Sequence, residues 1–309
     1  MPLFTAEDLF KNRPLDHPSI IGPSILPERG SLLLVGKTGI GKSVLAFDIA
    51  FSLVLGRGLF GAMRKKKDGA QGKDCFPVYR SCRVLYIDTE LGPSGCHERL
   101  QHFYPRHVAG LSLDGQLSFV TGEPKPLLFH NRRADKPLDN LDKLIEEVKP
   151  DVIIPDPLAS FHEVDENESV MNVILGNLKR LQHKYGVAVI LPHHETDKEL
   201  YSEGRRVPKE DSTARARGHS SITAWADTVL RVTCDDETAK YTFLHLAWVK
   251  TRHGGRPRPL SLFVDFTRML VHWIGFEVGD FKKRKTQFLD AYRAKYPLYE
   301  EDDDEPVIP

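Results

Sequence analysis

The chain has 309 residues, a mass of 35.0 kDa and equal numbers of basic and acidic side chains, 43 of each, so its formal net charge is zero. No apolar run approaches the ~18 residues of a membrane-spanning helix, and the four cysteines lack the spacing typical of zinc ligands. The composition therefore argues against a membrane protein and a structural zinc protein, and it predicts a cytoplasmic protein with reduced thiols. A net charge of zero neither indicates nor excludes a nucleic-acid partner.

Strands and helices are predicted to alternate along most of the chain. Residues 1–28 are rich in proline and predict an N-terminal arm, whereas residues 62–81 are basic, contain glycine and lack periodicity, which predicts an exposed loop. Short apolar runs predict the buried strands SLLLVG, RVLYID, LSFVT, PDVIIPD and VAVILPHH. Apolar residues three and four positions apart predict the helices KSVLAFDIAFSLVLG, GCHERLQHFY, PLDNLDKLIEEVK and NVILGNLKRLQHKYG. This alternation is typical of an α/β fold with a mostly parallel sheet and helices on both faces.

The pattern changes after residue 225. Four apolar segments follow one another with short turns, which predicts an antiparallel extension of the sheet at the C-terminal side. Residues 276–309 are predicted to form a separate C-terminal part, with a basic amphipathic helix and an acidic tail.

A phosphate-binding loop is the strongest motif of the chain. Residues 36–43 match G-x-x-x-x-G-K-[ST] between a predicted strand and a predicted helix. Glycines let backbone N–H groups surround phosphates, the lysine adds a charge near the β and γ oxygens, and the serine hydroxyl can ligate Mg²⁺. The sequence therefore predicts an ATP·Mg²⁺ site formed by Gly36, Lys37, Thr38, Gly39, Ile40, Gly41, Lys42 and Ser43.

Carboxylates follow two of the other predicted strands. Ligands of open α/β sheets bind at the carboxyl ends of the strands, where Asp88, Glu90 and Asp156 are expected. Asp156 ends an apolar strand and is predicted to join Ser43 in holding Mg²⁺, while Glu90 is the predicted base that orients the attacking water. The alternatives are a helix-capping role for Glu90 and a turn role for Asp156.

The strand that follows the P-loop strand in the sequence ends in carboxylates, and in this arrangement the chain resembles the RecA-like ATPases. Within them the chain resembles the hexameric helicases typified by the RepA-type plasmid replication helicase. The resemblance spans roughly residues 20–275, and one departure from it is the long, charged loop at residues 197–216. It implies a RecA-like ATPase core over residues 29–275 and a homo-oligomer in the form of a hexameric ring. It is carried by the segments ILPERGSLLLVGKTGIGKS, VLYIDTE with the following ERL, PDVIIPDPLASFHEVDENESVMN, VAVILPHHETDK, RARGHSSITAWADTVLRV and VKTRHGG.

The resemblance also implies roles for three residues beyond the P-loop. His194 would sense the γ-phosphate, with a structural histidine, or a metal shared with His193, as alternatives. Lys250 and Arg252 lie two residues apart on a predicted strand and so point to the same side. In the resembling helicases such a pair reaches the ATP site of the neighbouring subunit, and the alternative is a solvated end of a hairpin.

The loop after His194 would line the central channel of such a ring and contact single-stranded DNA. Cations suit backbone phosphates, although a solvated charged loop is the alternative. The sequence thus favours an ATP-driven, ring-forming helicase or translocase on single-stranded DNA, in replication or mobile-element maintenance. A recombinase-like or regulatory RecA-fold ATPase and a slow nucleotide-dependent assembly scaffold stay open. The basic residues of the loop are Arg205, Arg206, Lys209, Arg215 and Arg217.

Overall fold

A computed structural model of the chain describes most of the predicted core. The described residues are 5–11, 18–61, 63–65, 71–107, 112–122, 139–161, 171–195, 201–202, 205–206, 221–237, 240–276 and 281–296. None of the helices they form is long and apolar enough to cross a membrane.

Within these residues the helices and strands follow one another as the apolar periodicity indicates. The helices are α1 Ala6–Lys11, α2 Lys42–Leu55, α3 Gly92–His107, α4 Asp139–Val148, α5 Met171–Tyr185, α6 Ser221–Trp225 and α7 Phe281–Lys295. The strands of the N-terminal part are β1 Ser19–Ile21, β2 Leu26–Pro27, β3 Ser31–Gly36, β4 Met63–Lys65, β5 Gln71–Asp74, β6 Val84–Asp88, β7 Leu117–Thr121 and β8 Val152–Asp156. They are followed by β9 Ala188–His194, β10 Tyr201–Ser202, β11 Arg205–Arg206, β12 Thr228–Glu237, β13 Tyr241–Thr251, β14 Leu260–Asp265 and β15 Leu270–Phe276.

A nine-stranded sheet with the order β15-β14-β13-β12-β3-β9-β8-β6-β7 organises the fold. The six strands from β12 to β7 are parallel to one another, and β13, β14 and β15 extend the sheet in antiparallel pairing. This confirms the predicted fold class, a RecA-like α/β core with an antiparallel extension at its C-terminal side.

Both faces of the sheet are covered, because neighbouring residues of a strand point to opposite faces. In β3, Leu32 and Leu34 belong to one buried apolar cluster, and Leu33 and Val35 belong to a second one. The first cluster contains most of α2, and the second contains most of the apolar residues of α4 and α5. Apolar runs without alternation, as in β3, are what a sheet covered on both faces requires.

The predicted exposed loop at residues 62–81 is wrong in part. The structure places an antiparallel β4–β5 hairpin there, and Cys75, Phe76 and Val78 after it are buried. The ring of Phe76 lies 5.3 Å, between centroids, from that of Trp248 on β13. These apolar residues are few and irregularly spaced, so the sequence pattern does not predict that they are buried. Their burial results from the long-range contact with β13.

The ends of the chain that were predicted as an arm and a separate helix also pack onto the sheet. Ile20 and Leu26, from the predicted arm, are fully buried in the first cluster. Helix α7 packs through Phe288 and Tyr292 on a third cluster built around Phe263. The predicted boundaries at residues 28 and 276 stay predictions.

Asp48 is an ionisable residue within the otherwise apolar interior of α2. Its side chain is buried, the backbone N–H of Phe60 is a hydrogen-bond donor to it, and among the described residues its Oδ2 has no hydrogen-bond partner. Burial disfavours the charged form and raises the pKa of the Asp48 carboxyl from 3.8 to about 7. The folded protein therefore holds a proton here that the unfolded chain releases between these two pH values.

We expect the free energy of unfolding to fall as the pH rises from about 4 to about 7, by on the order of a few kcal/mol from this group alone. Asp48→Asn keeps the shape without the charge, so it should be more stable than the parent at pH 8 and similar to it at pH 4. Urea unfolding at several pH values measures this, with the exposed Asp114→Asn as the matched control. Parallel pH profiles for Asp48→Asn and the parent would contradict the assignment.

Candidate functional site

Strand register brings four of the predicted site residues to one edge of the sheet. Gly36, the last residue of β3, is aligned with His194 at the end of β9, and Asp88 is aligned with Asp156 at the ends of β6 and β8. These strands are parallel and neighbours in the order β3-β9-β8-β6, so their carboxyl ends lie side by side. The prediction that carboxylates and P-loop meet at this edge is confirmed in the structure.

The P-loop turns from β3 into α2 with backbone angles that glycine favours. Gly39 and Gly41 have φ values of 84° and 94°, a region that other residues rarely adopt. A Cβ at Gly36 would lie 2.7 Å from the Val232 carbonyl oxygen, so no side chain fits there without a backbone shift. Helix α2 begins at Lys42, and its N-terminus therefore directs backbone N–H groups into the loop.

Lys42 is buried at the floor of the loop, with 6% of its surface exposed. Its Nζ donates a hydrogen bond to the Lys37 carbonyl oxygen and lies 3.5 Å from Nδ1 of His194. Burial lowers the pKa of Lys42 to about 8, and the attraction of Asp156, Glu90 and Glu195 opposes this shift. A cation that has lost most of its water in this way interacts strongly with an arriving phosphate.

Asp156 is a buried carboxylate at the floor of the site. It accepts a 2.6 Å hydrogen bond from the Tyr86 hydroxyl and a further hydrogen bond from Ser43. Burial raises the pKa of the Asp156 carboxyl, and these two hydrogen bonds oppose the rise. Because the Ser43 hydroxyl and the Asp156 carboxylate touch, both oxygens can enter the coordination shell of one Mg²⁺ ion. The donor set therefore fits the metal that the sequence predicts.

The two acidic residues after β6 have different roles in the structure. Asp88 Oδ1 accepts hydrogen bonds from the backbone N–H groups of Glu90 and Leu91, at 3.0 and 2.8 Å, so it caps the start of the turn into α3. The Glu90 side chain instead lines the cavity above the P-loop. The capping role that was the alternative for Glu90 thus belongs to Asp88, and the role of Glu90 as a general base stays a prediction.

The adjacent histidines at the end of β9 face opposite ways, as strand alternation predicts. His193 is completely buried, whereas His194 lines the cavity and its Nδ1 lies 3.1 Å from the Thr38 hydroxyl of the P-loop. His194 therefore contacts both Thr38 and Lys42, which is a suitable position for sensing the phosphate chain.

These residues surround an open cavity of about 350 Å³, whose wall also includes Arg99, Phe266 and Met269 from parts of the chain that the sequence did not connect with the site. Arg99 of α3 lines it, and the buried Nη1 of its guanidinium has no hydrogen-bond partner among the described residues. Phe266 and Met269, from the turn between β14 and β15, line the same cavity. In the sequence, Arg99 was noted only as part of the ERL segment of the family resemblance, without a role in the site. No local sequence signal places Phe266 or Met269 near the P-loop.

Lys250 and Arg252 lie away from the P-loop of their own chain. On the neighbouring strand β12, Val229 is paired with Lys250 on one side and with Leu33 of β3 on the other. Leu33 precedes Gly36 by three residues, so Lys250 lies roughly 10 Å from the level of Gly36 along the strand direction. Arg252 lies further still toward the amino ends of the parallel strands. The pair therefore occupies the edge of the sheet opposite to the phosphate site.

At that edge both cations contact their own chain. The Lys250 ammonium donates hydrogen bonds to the carbonyl oxygens of Thr223, Ala224 and Ala226 at the end of α6. The Arg252 guanidinium donates to the Ala224 carbonyl oxygen and forms a 2.9 Å ion pair with buried Asp227. Both residues reach Ala224, which confirms that they share one side of β13. Their action on a neighbouring subunit stays a prediction.

The predicted channel loop lies mostly outside the described residues. Of the five basic residues predicted to contact DNA, Arg205 and Arg206 form the short strand β11, which pairs with β10, and Lys209, Arg215 and Arg217 are outside the described residues. Their contact with single-stranded DNA stays a prediction.

Comparison with known proteins identifies the family of the chain. A family model described as an AAA domain, AAA_25, matches residues 2–199. No match to a curated protein was found. A solved structure of a KaiC-like protein from the hyperthermophilic archaeon Pyrococcus horikoshii OT3 is similar, with a TM-score of 0.49 and 13% identity, and covers 80% of this chain and 90% of that one. That likeness is too distant to bear on function.

Proposed function

Because the chain belongs to the AAA_25 family of AAA domains and has a RecA-like P-loop ATPase core, we propose that it is a ring-forming helicase or translocase that hydrolyses ATP and acts on single-stranded DNA. The proposal places the protein in replication or mobile-element maintenance, in the cytoplasm. The observation that supports ATP hydrolysis is a single cavity that unites the P-loop with Glu90, Asp156 and His194.

The proposed hydrolysis divides the work among these side chains. The P-loop N–H groups and Lys42 bind the β- and γ-phosphates of ATP. Ser43 and Asp156 would hold a Mg²⁺ ion, which would supply positive charge against the phosphate oxygens. Glu90 accepts a proton from the attacking water and orients it toward the γ-phosphate. His194, through its contact with Thr38, reports whether the γ-phosphate is present.

Ring formation is supported by the positions of Lys250, on β13, and Arg252, directly after it. Both residues lie too far from the P-loop of their own chain to contact its nucleotide, so a neighbouring subunit's site is the one that they could serve. Arg252 is half exposed, with 48% of its side-chain surface accessible, although Asp227 binds it within its own chain. Such a residue can exchange an internal partner for a neighbour's γ-phosphate, a contribution worth ~10³–10⁵ in rate in other ATPases.

A first prediction concerns the general base. Glu90→Gln should bind ATP with the affinity of the parent and lose at least ~100-fold in hydrolysis, because an amide cannot accept the proton. Calorimetric titration and a phosphate-release assay measure the two quantities separately. Asp88→Asn is the matched control, since its role is to cap a turn, and it should retain most of the hydrolysis rate. A normal rate in Glu90→Gln would remove this residue from the mechanism.

A second prediction concerns action between subunits. Mixed assemblies of Arg252→Ala and Lys42→Ala chains should regain part of the ATPase activity that each variant lacks alone, since some interfaces then join an intact P-loop to an intact Arg252. Thermal unfolding must accompany the assay, because Arg252→Ala also deprives buried Asp227 of its ion pair. Arg256→Ala, which changes an exposed arginine in the following turn, is the control that should keep full activity. If proven mixing of folded chains restores nothing, Arg252 does not act in trans.

A third prediction concerns the DNA partner. Single-stranded DNA should stimulate ATP hydrolysis, and replacing Arg205 and Arg206 together with alanine should weaken DNA binding and reduce its salt dependence by roughly one log–log unit per lost phosphate contact. Hydrolysis without DNA should be unchanged. Fluorescence anisotropy at several salt concentrations measures binding. If DNA changes nothing and the double variant binds like the parent, a slow assembly scaffold or a regulatory ATPase becomes the better proposal.

A further inference from the structure

Phe266 and Met269 differ chemically from the charged groups of the cavity wall. Near the P-loop the wall contains Lys42, Glu90 and Asp156, which suit phosphates and Mg²⁺, together with small apolar contributions from Val44 and Pro157. The turn between β14 and β15 instead contributes an aromatic ring and a thioether. A cavity with a charged part and an apolar, aromatic part matches a ligand that has a charged chain and a flat ring system.

The aromatic ring lies directly against the P-loop. A Cβ at Gly41 would be 3.0 Å from Cε1 of Phe266, so the ring packs on the backbone of the residue that precedes Lys42. Phe266 is only partly buried, and one portion of its surface therefore remains open to the cavity. A group attached to a phosphate chain on the P-loop would meet this ring next.

A buried carboxylate stabilises the turn between β14 and β15 through hydrogen bonds. Asp265 is fully buried and accepts hydrogen bonds from the backbone N–H of Arg268 at 2.9 Å and from its guanidinium at 3.1 Å. The hydroxyl of Tyr292 on α7 donates to the same carboxylate. The turn also includes Met269 with φ of 46°, an unfavourable angle for a residue with a side chain. These contacts fix Phe266 before any ligand arrives, which lowers the entropic cost of binding.

We propose that Phe266 and Met269 form the nucleobase subsite of this protein and that its nucleotide is a purine nucleoside triphosphate. The base stacks on the ring of Phe266, and the flexible Met269 side chain covers its edge. Purines have the larger aromatic face and therefore bury more apolar surface on such a ring than pyrimidines do. The subsite rests on the proposed function only in requiring that the P-loop holds the phosphates, and it does not depend on hydrolysis, a ring or DNA.

The test separates the base from the phosphates. Calorimetric titration with Mg²⁺ compares ATP with inorganic tripolyphosphate, which has no base, for the parent, Phe266→Ala, Phe266→Leu and Phe266→Tyr. We expect Phe266→Ala and Phe266→Leu to bind ATP about tenfold more weakly and tripolyphosphate within about twofold of the parent, because leucine keeps the apolar contact with Gly41 but has no aromatic face. Phe266→Tyr retains the ring and should bind ATP like the parent.

A second comparison tests the choice of base. The parent should bind ATP and GTP several-fold more tightly than CTP and UTP, and Phe266→Ala should bring the four affinities close together. Equal weakening of ATP and tripolyphosphate would overturn the proposal, since Phe266 would then only support the P-loop. Normal ATP binding by Phe266→Leu, or a parent that binds all four nucleotides equally, would overturn it as well. A parent that binds neither ATP nor tripolyphosphate would instead refute the nucleotide site itself.

Discussion

The parallel pairing of β3 with β9 is the constraint on which the candidate site depends. Their register sets Gly36 beside His194, and the pairing of β8 with β6 sets Asp156 beside Asp88. A shift of one residue in either pair would turn the terminal side chains to the opposite face of the sheet. The apolar residues of β3 belong to clusters on both faces, so its position is fixed by packing as well as by hydrogen bonds.

Burial of charge gives the site its electrostatic character. Lys42 and Asp156 are both removed from most of the solvent. Burial therefore lowers the pKa of Lys42 and raises that of Asp156, and both shifts favour the neutral form of the side chain. Nearby, Glu195 after β9 forms a 2.6 Å ion pair with Arg231 of β12, and both side chains are almost completely buried. Since β9 and β12 flank β3, this pair links the two strands on either side of the P-loop strand. Loss of one partner would leave a buried charge, which is usually strongly destabilising.

The sheet also separates two sets of charged groups that the proposed mechanism has to connect. The phosphate site lies at the carboxyl ends of the parallel strands, and Lys250 and Arg252 lie near their amino ends, on the carbonyl groups that end α6. Helix α6 follows the predicted channel loop in the sequence and precedes β12. A change in the hydrogen-bond partners of Lys250 or Arg252 would therefore act on α6, the helix that follows the loop in the sequence. The proposed DNA motor requires such a link between an ATP site and the DNA-binding loop.

The sequence by itself determined the P-loop, the alternation of strands and helices, and the convergence of Lys42, Asp156 and His194, because each follows from local spacing or from the shared edge of parallel strands. It named Glu90 as the base but left a capping role for Glu90 open, since only the turn geometry shows that Asp88 is the carboxylate that caps the backbone. Nor could it place Phe266, which is distant along the chain and has no motif of its own. Its position is decided by the antiparallel extension of the sheet and by the buried Asp265 that holds its turn, and such long-range contacts exist only after folding.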